Sequence, residues 1–418
     1  MTTTAPVIPG RAAAERPAHR DGNVLRWLAA YTSSMVGDSV YYLALSWAAV
    51  QAGTPAQAGL VMTASAVPRA LLMLGGGVIA DRFGPRRVVI GSDVVRCAAV
   101  LAVAVLLFAT DPGLWPLAAL AVVFGTVDAV FLPAVGALPA RVTSHGQLAR
   151  VQGMRGLGIR FASVVGGPLG GLGVALGGAA AAFGLAALLI AVSVPLLLSV
   201  RMRELPSDDK AADAGGTAWH ELVAGLRYIR RHRVLAPLMV AITLGDLGFV
   251  GPLNVGLVLL ADERGWGAVG MGWVLAGFGV GAGAASLLLT VRGRLPYAGH
   301  TAAYAVLGGS VAIGALAQAP GVAVAAGTAL LVGLLAGLSG ALCAALLQTQ
   351  SDPAYLGRVT AVASLASLGL APLSMPLSAA AIGAWGTGPV FAVSAMVCGL
   401  GGVVALCVPG LRRAELPR

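Results

Sequence analysis

Twelve stretches of mostly apolar residues, each about 20 long and so able to cross a bilayer core, alternate with polar connections along the chain. They lie near residues 25–50, 57–80, 88–109, 114–138, 152–174, 178–199, 234–260, 267–290, 298–318, 322–348, 358–382 and 387–408. In lipid the backbone must satisfy its own hydrogen bonds, and a helix does so within one segment. The pattern therefore predicts an all-α membrane protein with twelve transmembrane helices. The longest connection, 200–233, carries Asp208, Asp209, Lys210 and the Gly215-Gly216 pair, as an exposed linker would. It divides the chain into a tail (1–24), a six-helix half (25–199), a linker (200–233), a second six-helix half (234–408) and a tail (409–418). Within the linker, Trp219, Leu222, Leu226 and Ile229 recur at helical spacing opposite Arg227 and Arg230. That is an amphipathic helix lying on the membrane surface, either a plain strap or a lipid-binding element. Residues 1–24 hold Glu15, Asp21 and three prolines, and do not form the apolar core of a signal peptide.

The halves repeat. Gly37-Asp38 recurs as Gly245-Asp246, Leu148-x-Arg150-Val151 as Leu356-x-Arg358-Val359, and Pro168-Leu169 as Pro376-Leu377, each at an offset of 208 residues. One offset in three places predicts two pseudo-symmetric, parallel six-helix halves, with a substrate site between them near the midplane.

Composition agrees: 58% of residues are hydrophobic and 11% charged, against about 25% charged in soluble domains. The 59 glycines suit close helix packing in lipid. A net charge of +10 raises the question of nucleic acid, and the positions of the basic residues answer it. Of 27 lysines and arginines, 22 fall in the tails and in connections on one side, Arg264 alone falls on the other, and Arg69, Arg96, Arg155 and Arg160 lie within segments. This bias puts both termini in the cytoplasm and the protein in the cell membrane, with lipid and not nucleic acid as its surroundings. The four cysteines lie in apolar stretches without CxxC spacing, and the five histidines do not cluster with acids, so no metal and no cofactor is expected. No nucleophile-and-base pair or phosphate loop suggests an enzyme.

Residues 75–87 read Gly-Gly-Gly-Val-Ile-Ala-Asp-Arg-Phe-Gly-Pro-Arg-Arg. This run resembles the loop motif of the major facilitator superfamily between helices 2 and 3, G-x-x-x-D-R-x-G-R-R. Gly77, Asp81, Arg82, Gly84, Arg86 and Arg87 fill the pattern, and Pro85 is inserted before the basic pair. Residues 33–47, Ser92-Asp93-Val94-Val95-Arg96 and Gly357-Arg358-Val359 are similar to the macrolide-efflux and siderophore-exporter branch, a drug:proton antiporter group. Gly167, Pro168, Gly170 and Gly171 resemble that group's helix-5 motif, one spacer short, and also serve for helix packing alone. The resemblance implies the major facilitator fold and a monomeric secondary transporter. It would export small molecules, such as drugs, antibiotics or siderophore-like compounds, by alternating access and proton antiport. A nutrient importer of the same fold is the alternative. In the family the Asp81 contact closes the cytoplasmic gate, and here Asp81 could sit at a helix N-terminus; a short basic turn without that role is the plainer reading. Asp93 and Arg96 are grouped with this gate, Asp93 pairing with Arg96 or with the loop arginines.

An ionisable group inside a bilayer costs at least about 2.5–3.5 kcal/mol, so each one needs a reason. At 1.5 Å per residue, Asp38 lies about 18 Å beyond Arg26, near the middle of segment 1. Asp128 is as central in segment 4, and Asp246 is the repeat partner of Asp38. These three are the candidates for proton binding or for contacting a cationic substrate. Arg69, about 18 Å deep, is expected to pair with Asp38, as a structural pair or as a switch that opens on protonation. Asp128 fits proton coupling best, since no other residue of its helix is an arginine. Tyr41, Tyr42, Asn254, Trp273 and Gln348 are possible substrate contacts and equally ordinary packing residues. No G-x-x-x-x-G-K-[ST] loop offers a use of ATP.

Overall fold

In a computed structural model the described residues are 18–110, 113–143, 147–202, 218–292, 297–352, 355–367 and 373–415. They are helical nearly throughout, with no strand among them. The first half comprises α1 (Gly22–Ala52), α2 (Pro55–Thr63), α3 (Ala66–Phe83), α4 (Pro85–Ala109), α5 (Trp115–Val142) and α6 (Leu148–Ser199). The connecting helix is α7 (Ala218–Arg231). The second half comprises α8 (Leu235–Gly251), a π-turn (Pro252–Gly256), α9 (Leu257–Glu263), α10 (Gly267–Arg292), α11 (Ala298–Leu316), α12 (Val322–Gln350), α13 (Leu356–Leu365), α14 (Ser374–Trp385), α15 (Thr387–Cys407) and α16 (Pro409–Arg412). By length and apolar composition, eight helices among the described residues can cross a membrane, and one of them holds two crossings.

That double helix is α6, where predicted segments 5 and 6 run on without a loop. The break falls at Gly177 and Gly178, the latter at φ 69°, ψ −167°. Its repeat partner 208 residues on, Gly386, joins α14 to α15 at φ 81°, ψ 172°. Side chains are excluded from this region of backbone space, so both halves use glycine to turn a helix back without a polar loop. The same offset carries α5 onto α12 and the second limb of α6 onto α15. Predicted segment 2 is split after Thr63 into α2 and α3. Segment 7 contains the π-turn, where Pro252 has no N–H to give the helix ladder. Local capping sets other ends: Asp21 accepts from the Asn23 amide at 2.8 Å, and Thr54 and Gln57 form a capping box on α2.

The linker helix α7 lies against α13. Tyr228 stacks on Tyr355 with centroids 4.4 Å apart, and Ile229 is buried with Leu235 and Leu238.

The halves meet along α6 with α10 and α2 with α14. Small residues permit this. A Cβ on Gly171 would lie 2.6 Å from the Ala268 carbonyl oxygen, and one on Gly167 would lie 2.8 Å from that of Gly272. Gly170 faces Leu43 of α1. Near the end that carries Arg264, the Gln51 amide also donates to Asp262 across the two halves at 2.9 Å. Overpacking such a contact costs about 1–3 kcal/mol. Gly171→Val is therefore expected to lower the thermal unfolding midpoint in detergent, whereas Gly184→Ala, with nothing within 4 Å of the new methyl, leaves it unchanged or higher. Equal shifts would show that the α6–α10 approach does not limit packing.

A buried arginine and carboxylate cluster as candidate functional site

Among the described residues the first half encloses a buried ionic cluster. Arg96 of α4 is fully buried. Its Nη1 donates to both carboxylate oxygens of Asp38 on α1, at 2.8 and 3.1 Å. Its Nη2 meets Asp93, one turn back on its own helix, and reaches the Ser34 hydroxyl at 3.3 Å. Asp128 of α5 lies 3.7 Å from Arg96 Nη1 and 3.9 Å from Arg69 Nη1 of α3. Phe131 sets its ring 4.0 Å from the Arg96 guanidinium carbon, a cation–π contact.

Local sequence explains the assembly. Asp93 and Arg96 stand three residues apart, hence on one face of α4. Gly37 lets α1 approach the second limb of α6, because a Cβ there would fall 2.7 Å from the Ile190 side chain; Asp38 is its neighbour. Ser193 of that limb donates to Asp93, as Ser34 does at 3.1 Å. Asp93 is thus held by a guanidinium and two hydroxyls, and Asp38 by both oxygens on one nitrogen. Asp128 is held most loosely. It stands beyond hydrogen-bonding distance of either arginine and accepts one bond, from the Tyr42 hydroxyl at 3.4 Å. Two guanidiniums face three carboxylates, so with all five ionised the cluster carries one negative charge, which one proton cancels.

The expected pairing of Arg69 with Asp38 does not form. Arg96 occupies Asp38 from α4, and Arg69 turns to Asp128, because α3 packs on α5. Asp128 accordingly has arginines near it from two other helices. Asp93 and Arg96 form their expected pair, but inside the cluster and not at the loop. The depth arithmetic applied to Asp38 would have found Arg96, which lies about 16 Å beyond Pro85 at 1.5 Å per residue. Ser34, Ser193 and Phe131 carry no comparable signal in the sequence. Asp246 stands apart in α8 and accepts from Ser367.

At the loop motif, Gly84 takes φ 81° between α3 and α4, and Pro85 opens α4. Arg86 donates to the carbonyls of Leu198 at 2.6 Å and Leu197 at 3.4 Å, closing the end of α6. Arg82 lies against the Phe83 ring, and Arg87 is exposed. Asp81 falls in the last turn of α3, so it is not at the N-terminus of its own helix, and its side chain lies outside what is described; Gly77 falls within α3. Of the possible substrate contacts, Tyr41 is buried, stacked on Phe124 with centroids 3.7 Å apart. Asn254 bonds back to Val250, Trp273 is exposed, and Gln348 lines a cavity in the second half.

With the helical repeat and this cluster, the chain has the form of a two-halved membrane transporter. The sequence profile of the Major Facilitator Superfamily matches residues 27–369, and the chain belongs to that family. This places it among multi-pass membrane transporters of small molecules and not among enzymes. It is 28% identical over 394 residues to the multidrug efflux pump Tap of Mycobacterium tuberculosis, covering 91% of this chain and 92% of the relative. It is 26% identical over 308 residues to the enterobactin exporter EntS of Escherichia coli, covering 72% and 71%. In fold it resembles a D-xylose–proton symporter, with a TM-score of 0.68 at 15% identity over 93% of this chain and 96% of that one.

Proposed function

We propose that the chain exports small organic molecules across the cytoplasmic membrane by proton antiport. The observation that carries this reading is the buried cluster with one carboxylate more than its arginines. In low dielectric an uncompensated charge is costly, so the cluster favours holding one proton. Asp128 is the acceptor, since protonating it disturbs the weakest contacts. Neutral Asp128 releases Arg69, and the α3–α5 contact then changes with the proton load. That couples the proton load to the helix packing of the first half. The similarity to Tap and EntS supports export over import.

Both termini face the cytoplasm, a reading supported by the arginine bias. Arg264 then lies outside, and the contacts of Gln51 with Asp262 and of Gly171 with Ala268 close the outer end. The loop around Gly77–Arg87 is the matching inner gate. Orientation is checked in whole cells of a cysteine-free protein: a cysteine at Asp213 is expected to be shielded from an impermeant thiol reagent and one at Arg264 labelled. The opposite pattern reverses the orientation. The function is checked with cells that carry or lack the protein, loaded with a panel of labelled antibiotics and siderophores. Lower accumulation that a protonophore restores is expected, whereas higher accumulation means import.

A further inference from the structure

The second half contains a cavity of about 660 Å³ between α8, α11, α12, α13 and α15. That volume falls within the range of small-molecule sites, roughly 300–1,000 Å³. The repeat explains why it is there. At the 208-residue offset, Phe124, Asp128 and Phe131, which surround Arg96 in the first half, correspond to Val332, Ala336 and Ser339, and all three line the cavity. Space filled in one half by two rings and an ionic cluster is left open in the other.

Asp246, the counterpart of Asp38, remains in the wall. Its arginine does not: the position matching Arg96 is Tyr304, whose side chain is exposed. Among the described residues Asp246 has a hydrogen bond from Ser367 and no arginine, lysine or histidine within ion-pairing distance. The other charged side chain of the wall, Arg160, is half-buried on α6 of the first half and forms no ion pair with it. The rest of the lining is mostly apolar or small, such as Ala241, Phe249, Ala282 and Gly337. Among the described residues Asp246 has no ion-pair partner in this wall, and a ligand that brings a cation together with apolar surface satisfies both the carboxylate and the lining.

We infer that this cavity binds lipophilic organic monocations, with Asp246 as their counter-ion, in a place separate from the proton cluster. The inference rests on the export reading for its physiological meaning: substrate is held in the second half and the proton in the first.

The test is equilibrium binding to purified protein, with radiolabelled tetraphenylphosphonium as probe and tetraphenylborate as the anion of like shape. Wild-type protein is expected to bind the cation and not the anion. Asp246→Asn should weaken cation binding by at least about 30-fold, the loss expected when one partner of a buried charge pair is removed. Ala336→Phe, which restores a ring to the emptied volume, should abolish it. Size-exclusion profiles check that both variants are folded, and if Asp246→Asn is not, Ala336→Phe and the cation–anion comparison decide. Preference for tetraphenylborate, or cation binding indifferent to both substitutions, overturns the site. Binding at equilibrium needs no gradient. Protein that binds the cation through Asp246 but never exports it refutes the export reading alone, and protein that exports while binding ignores Asp246 refutes this site alone.

Discussion

Asp128→Asn protein in liposomes is expected to lose uphill efflux driven by a pH gradient while still exchanging substrate down its gradient. On the coupling proposed above, Asp128 carries the proton that pays for uphill movement, and a gradient of one pH unit supplies about 1.4 kcal/mol per proton, or tenfold in concentration. Asparagine keeps the size of the side chain and can still accept from Tyr42, 3.4 Å away, but it cannot load or release a proton. Accumulation should therefore fall to the level without a gradient, and counterflow should stay within about twofold of the wild type, since it needs only the conformational cycle. Unchanged uphill transport would remove Asp128 from the mechanism. Efflux that ignores protonophore would remove the proton.

Substitution of Arg96 is expected to have the largest effect on stability. Arg96→Met removes the fully buried cation that faces Asp38, Asp93 and Asp128, and stranding buried partners in this way costs about 3–5 kcal/mol. The amount of folded protein in the membrane should drop steeply. Arg96→Met combined with Asp38→Asn should recover part of the loss. In denaturant unfolding of detergent-solubilised protein, that cycle should give a coupling of about 1–3 kcal/mol. The cycle of Arg69→Met with Asp38→Asn should give a clearly smaller coupling than that of Arg96 with Asp38, because Arg69 reaches Asp128 instead. Additivity for Arg96 and Asp38, or strong coupling for Arg69 and Asp38, would contradict the pairing.

Both expectations concern residues visible in the sequence, yet only part of their arrangement could be read there. Asp38, Asp128 and Arg69 stand out because a charge in an apolar segment is costly. Arg96 belongs with them by the same reasoning, but its nearness in sequence to the loop motif groups it with the gate. The hinge at Gly178 was equally hidden. Its repeat partner Gly386 lies 208 residues on, but in a chain with 59 glycines no composition rule singles out these two as the ones that turn a helix back at positive φ.

The sequence by itself determined the helices, their approximate spans and the division into repeating halves, because hydrophobicity and helical rise act along one chain and need no knowledge of neighbours. Tertiary structure decided which arginine meets which carboxylate. Arg69 and Arg96 both lie within apolar segments, and lateral packing alone places α4 against Asp38 and α3 beside Asp128. It also decided that two halves of one repeat differ in kind. Phe124, Asp128 and Phe131 close the space around Arg96, whereas Val332, Ala336 and Ser339 leave a cavity beside Asp246, and volume left between helices is a property of several side chains at once.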